Sequence, residues 1–206
     1  MILYKTVEKA ASAEQTIEKS KFIAHVCPVL TKEEADEFIT RIRREHKEAS
    51  HNVPAMVIGD QFQIQWGSDD GEPQGTSGAP MVQMLVSQGI TNVAVVVTRY
   101  FGGIKLGPGG LVRAYTSSAK LGLEAAGIIL IQEKEIFQVS FDYTYLSKFQ
   151  NLAAAGDFSI GNIGYADCIT CSFATVPEHG RDLENLMNQV TNGTVKILKR
   201  KVIQTR

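Results

Sequence analysis

Cysteine is scarce in this chain of 206 residues: Cys27, Cys168 and Cys171 are the only three. That is too few for a disulfide framework at this length and points to a reducing compartment, the cytoplasm. A preponderance of one charge is also missing. Twenty-one Lys and Arg stand against 22 Asp and Glu, a formal net charge of −1, so no global field marks the chain for nucleic acid or membrane. Only two local basic stretches stand out, RIRREHK at 41–47 and KILKRK at 196–201. No apolar run approaches the roughly 18 residues that span a bilayer. The opening MILYKTVEKAASAEQTIEKSKF is laced with Glu and Lys and does not read as a signal peptide. Phosphate-loop signatures are absent too: G-x-x-x-x-G-K-[ST] does not occur, and GPGGLV at 107–112 lacks the third glycine of a dinucleotide turn.

What is present is the patterning of a soluble α+β protein, 44% hydrophobic and 21% charged. KFIAHVCPVL (21–30) reads as the first strand. Thr31 opens T-K-E-E, a capping box, and Ala35, Phe38, Ile39 and Ile42 recur at helical spacing over 32–47. VPAMVIG and QFQIQW flank Gly59-Asp60 as a hairpin, with Phe62, Ile64 and Trp66 expected on a buried face. GSDDGEPQGTSGAP (67–80) is a long polar loop, and Pro80 suits the first turn of a short helix beginning near Met81. NVAVVV (92–97) is apolar throughout, as a strand covered on both faces requires. A helix over 110–126 turns Leu111, Tyr115, Ala119 and Leu123 inward, and GIILIQ (127–132) is another strand. Gln-Glu-Lys-Glu at 132–135 is the expected boundary between domains 1–133 and 134–206. Beyond it the order βαββαβ is that of a ferredoxin-like domain.

Candidate chemistry concentrates between residues 51 and 113. In DCITCSFAT, Cys168 and Cys171 sit three apart on a strand pattern and point to opposite faces, which argues against a shared metal. Thr76 and Ser77 have no assignable base. Asp69, Asp70 and Glu72 have the chemistry to hold Mg²⁺ or transfer protons, or else to shape turns and pair with cations. TRYFGGIKLGPGG (98–110) carries Gly102, Gly103, Gly107, Gly109 and Gly110 into a helix start, where free N–H groups and the dipole favour an anion. Arg99, Lys105 and Arg113 supply charge there, unless they pair with the DDGE acids. His51-Asn52 is a polar pair that can join such a cleft, and Tyr100 can stack on a base. No catalytic residue, cofactor or metal is assigned.

Taken in order, HN (51–52), DDGEPQGTSGAP (69–80) and NVAVVVTRYFGGIKLGPGGLVRAY (92–115), together with KSKFIA (19–24), closely resemble the IMPACT family and its bacterial, YigZ-type members. The resemblance runs over nearly the whole chain. It implies an N-terminal domain like ribosomal protein S5 domain 2 and domain IV of elongation factor G. The C-terminal domain would be ferredoxin-like, as in domain V of that factor. Val53 stands where the family often has Cys, and Ala79 where it often has a larger residue, so a mechanism requiring a thiol at 53 does not carry over. Eukaryotic relatives regulate translation under amino-acid starvation. The resemblance thus implies a non-catalytic cytosolic regulator whose partner is RNA, a ribosome or a protein, and not a membrane. The alternative from the residues themselves is an enzyme or binder of phosphorylated small molecules using Asp69–Glu72 and Gly107–Gly110.

Overall fold

Every residue from Val93 to Val97 is buried, because the strand that holds them is third of five and has a helical layer on each side. The structure, a computed structural model, describes residues 2–205. Its chain order is β1 (Ile2–Val7), β2 (Ala11–Ile17), β3 (Ser20–Pro28), α1 (Lys32–Glu45), β4 (His51–Ile58), β5 (Ile64–Gly67), α2 (Gly78–Ser87), β6 (Val93–Tyr100), α3 (Gly107–Ala126) and β7 (Ile128–Phe141). There follow α4 (Leu146–Ala155), β8 (Phe158–Tyr165), β9 (Ile169–Thr175), α5 (Gly180–Val190) and β10 (Lys196–Thr205). Two compact units result, one of Tyr4–Leu130 and one of residues 1–3 with 131–206. The α+β class expected from the patterning is the one observed.

In the first unit the sheet order is β2-β3-β6-β4-β5. Alternation along β6 sorts its side chains between two cores. Val93, Val95 and Val97 join Leu111, Tyr115, Ala119 and Leu123 of α3. Ala94 and Val96 join Phe38, Ile39 and Ile42 of α1. The capping box at Thr31 forms: its hydroxyl accepts from the Glu34 N–H at 3.2 Å, and the Glu34 carboxylate accepts from the Leu30 N–H at 2.7 Å.

Two sequence expectations need correction. Strands β1 and β2 precede the run taken as the first strand. β2 is an edge whose residues alternate between half-buried and exposed without any being fully buried, so a polar sequence such as ASAEQTI suffices. Ile64 and Trp66 are not buried: β5 is the opposite edge, and both side chains are exposed. The units divide after Leu130, three residues short of the expected boundary within residues 132–135. β7 runs through them without interruption, and buried Glu135 is accommodated by Arg200 at 2.5 Å.

The second sheet is five-stranded, with β1, β7, β9 and β8 in order and β10 also paired to β7; the β10–β7, β7–β9 and β9–β8 pairings are antiparallel. With α4 and α5 packed on Phe137, Phe141, Phe149 and Phe173, this is the ferredoxin-like arrangement its element order implies. Cys171 is buried in that core, where burial pushes its thiol up to about 11. Cys168 precedes β9 and lies 2.9 Å from the Ser140 hydroxyl. Both are free thiols.

Candidate functional site

The acidic loop folds inward. Asp70 (φ 48°) and Gly71 (φ 87°) both take left-handed backbone, the conformation that short polar residues and glycine tolerate, and this turn carries Glu72 into the interior. There the Glu72 carboxylate accepts from Arg99 Nη1 at 2.7 Å and from the Tyr115 hydroxyl at 2.6 Å. His51 Nε2 lies 3.8 Å away, because His51 and Arg99 are direct cross-strand partners of β4 and β6. Burial first, and then the bond to Glu72, hold the Tyr115 hydroxyl far above its ordinary range, so it remains a donor.

Arg99 is buried to 5% exposure. Its guanidinium lies between the rings of Phe22 and Phe101, 5.4 Å from each centroid, and Nη2 reaches Ser20 Oγ at 3.4 Å. A cation held on two aromatic faces and by a buried carboxylate is a structural element of the unit. It does not present its charge to solvent.

The other two acids are equally engaged. Asp70 accepts from the Asn52 N–H at 2.7 Å and pairs with Arg43 at 3.0 Å, while its carbonyl lies 2.8 Å from His51 Nδ1. Asp69 accepts from the N–H groups of Gly75, Ser77 and Gly78 and from the Ser77 hydroxyl, at 2.7–3.1 Å. It thereby caps α2 across the loop, since Ser77 makes no side-chain cap of its own. Burial alone would raise the Asp69 carboxyl, but these donors outweigh it and hold it below the usual range. Thr76 donates to the Pro73 carbonyl at 2.6 Å. Among the described residues, no group of three His, Cys, Asp or Glu side chains is placed to hold a metal ion.

On the α1 side of the same strands, Thr98 donates to Asn52 Oδ1 at 2.7 Å and Asn52 Nδ2 donates to the His46 carbonyl at 3.1 Å. The Tyr100 hydroxyl lies 2.9 Å from His46 Nδ1, so Tyr100 is tied to the end of α1. The His46 ring lies 4.8 Å from that of His25.

Lys105 and Arg113 stand outside all of this, with no carboxylate of the described residues within ion-pairing distance. Together with Gly110, Ile104, Ser117 and Glu18 they line a surface depression of about 450 Å³. The glycines divide by function. Gly102 is a packing requirement, because a Cβ there would stand 2.0 Å from the Lys19 carbonyl oxygen. Gly107 (φ 69°) makes the bend into α3, and Leu106 at the N-cap supplies no side-chain acceptor. The first N–H groups of α3 therefore lack a side-chain cap, next to two unpaired cations.

The structure thus divides the sequence candidates. His51, Asn52, Asp69, Asp70, Glu72, Arg99, Thr76 and Ser77 are engaged with protein partners within the unit, Arg99 through Nη1 and Nη2 while its buried Nε lacks a partner. Lys105, Gly107, Gly109, Gly110 and Arg113 gather at the start of α3, and Gly103 (φ 91°) lies in the approach to it. Sequence reasoning treated Tyr115 as plain core and missed it as a Glu72 partner. The available signal was that a buried tyrosine hydroxyl needs a partner.

Comparison with known proteins agrees with the motifs. The family model of the Impact N-terminal domain matches residues 18–123. The IMPACT family member YvyE of Bacillus subtilis (strain 168) is 41% identical over 92% of this chain and 88% of its own. YigZ of Escherichia coli (strain K12) is 31% identical over 89% and 91%. A crystal structure described as that of a hypothetical protein superposes with a TM-score of 0.59 at 29% identity, covering 95% of this chain and 96% of that one. No helix among the described residues is long and apolar enough to cross a membrane. The chain belongs to the IMPACT family.

Proposed function

We propose that this protein is a cytoplasmic, non-catalytic regulator that engages the translation machinery, and that Lys105, Arg113 and the uncapped start of α3 are its contact with RNA phosphate. The observation that carries this reading is the division of charges described above. Glu72 is bound by Arg99 and Tyr115, Asp70 by Arg43 and Asn52, and Asp69 by the N–H groups at the start of α2, whereas Lys105 and Arg113 face solvent beside helix N–H groups without a side-chain cap. A helix N-terminus with flanking cations favours phosphate by dipole and by direct hydrogen bonding.

The rival reading, an enzyme of phosphorylated small molecules, needs free carboxylates for Mg²⁺. Asp69, Asp70 and Glu72 each have protein donors in the positions a cation would take, so the observations favour the binding role.

Ribosome co-sedimentation tests the proposal. The wild-type chain is expected to pellet with ribosomes at low salt and to be released as salt rises. Lys105→Gln/Arg113→Gln is expected to stay in the supernatant with an unchanged melting temperature. Co-sedimentation of that variant at the wild-type level would overturn the assignment.

A further inference from the structure

The strands of the second unit sort their charges by face. Along β7, Glu133 and Glu135 alternate with Lys134, and along the same strand Phe137 and Val139 enter the core while Gln138 and Ser140 face away from it. Register carries the same division into β10. Lys196 pairs Ser140, Lys199 pairs Gln138 and Lys201 pairs Ile136, all opposite residues on the side away from α4 and α5. Residues 196 and 199 would fall on opposite faces of a regular strand. The register shift between Ile197 and Lys199, with Leu198 as the extra residue, restores the phase and puts all three lysines on one side. Arg200 goes to the other side, where it stacks on Phe137 at 5.0 Å and pairs with Glu135 and Glu184.

The open face therefore carries Lys134, Lys196, Lys199 and Lys201 and no carboxylate at any strand position. Its floor is Thr170, Ser172 and Ala174 of β9 with Ser159, Gly161 and Gly164 of β8, small residues throughout. A side chain at Gly164 would come within 2.7 Å of the Thr170 hydroxyl, so the floor stays flat. Gln138, Thr170 and Asn162 are exposed on it as hydrogen-bonding groups. None of the four β10 and β7 lysines makes an ion pair among the described residues.

We infer that this open sheet face is a second binding surface, and that its ligand is single-stranded nucleic acid held by its phosphates. A row of unpaired lysines along one strand complements a polyanionic chain. A flat sheet without a protruding helix or ribbon fits an extended single strand and cannot enter a duplex groove. No aromatic side chain stands on the floor, so bases gain no stacking and affinity is indifferent to base identity. The surface shares no residue with the Lys105–Arg113 site and does not depend on that reading.

The test is fluorescence anisotropy of the full-length chain with labelled oligouridylate and oligothymidylate of about 20 nucleotides, from about 50 to 200 mM salt. Binding that falls with salt is expected. Lys199→Gln/Lys201→Gln should flatten the dependence of log K on log salt by about 1.4 and weaken binding about 25-fold at 0.1 M salt, at 0.7 per phosphate for single strands. Equal affinity for the two oligomers means that phosphate alone is read; tighter RNA binding adds 2′-hydroxyl contacts from the floor, and either supports the surface. Lys148→Gln, on α4 across the sheet, should leave the slope unchanged. The inference is overturned if the chain binds neither oligomer, or if the Lys199/Lys201 pair leaves the slope as it was. It is overturned equally if Lys148→Gln matches the pair's effect per charge. If Lys105→Gln/Arg113→Gln alone abolishes binding while the Lys199/Lys201 pair has no effect, the sheet face falls and the loop stands; the converse removes only the loop.

Discussion

Arg99 is where one side chain determines most about the first unit. Removing one partner from a buried ion pair leaves the other charged and desolvated, which costs about 3–5 kcal/mol. Arg99→Ala does this to Glu72, whose remaining donor is the Tyr115 hydroxyl. The expected outcome is a drop in urea midpoint at constant slope, partly recovered in Arg99→Ala/Glu72→Gln because the orphaned charge is gone. A double variant no better than the single would mean that packing between Phe22 and Phe101, and not charge, is what Arg99 supplies. His25 gives the residue-scale pH prediction. Burial, then the neighbouring His46 and Arg41, lower it from 6.5 to about 4, and its Nε2 has no partner. A histidine whose pKa falls on folding takes its proton later than the unfolded chain does as pH drops. Stability is therefore full above about 6.5 and is lost as pH falls toward about 4. His25→Leu should remove that part of the acid sensitivity, read as urea midpoints across the interval.

Elements show how far patterning alone could be read. α1, α3 and β6 announced themselves because their buried positions follow one period without interruption, and the ferredoxin-like order was legible from turn residues such as Pro177 and Asn192-Gly193. β2 was not, and β5 was legible as a hairpin strand but not in its exposure, since an edge strand pairs on one side only and tolerates polar or exposed residues such as Gln15 or Trp66. The cluster of site residues was visible in the sequence, yet its internal pairing was not. Whether Asp69 binds a metal or caps α2 depends on where residues 75–78 return, a tertiary fact. The glycines of 98–110 look alike in sequence and differ in the fold. Gly102→Ala drives a methyl into the Lys19 carbonyl and is expected to cost about 3 kcal/mol. Gly109→Ala meets nothing closer than 3.9 Å and should be neutral, or stabilise by up to about 1 kcal/mol. Thermal melts of the two variants separate packing glycines from those that leave the start of α3 open.

At the scale of the whole chain, the two units have separate hydrophobic clusters with no residue in common. One sheet is covered on both faces, as its continuous apolar β6 requires. The other is covered on one face and wet on the other, as its alternating β7 and β10 require. Phe173 touches Phe141, Phe149 and Phe158 in the second cluster, so Phe173→Ala opens a cavity at a cost of about 3–5 kcal/mol. Because that loss falls within one cluster, amide protection should collapse through β8, β9 and α5 while Val93–Val97 exchange as slowly as before. Native-state hydrogen exchange reads both regions in a single experiment. If the β6 amides lose protection in step with β9, the two units unfold as one cooperative body, and damage to either would reach both the Lys105–Arg113 site and the lysine face.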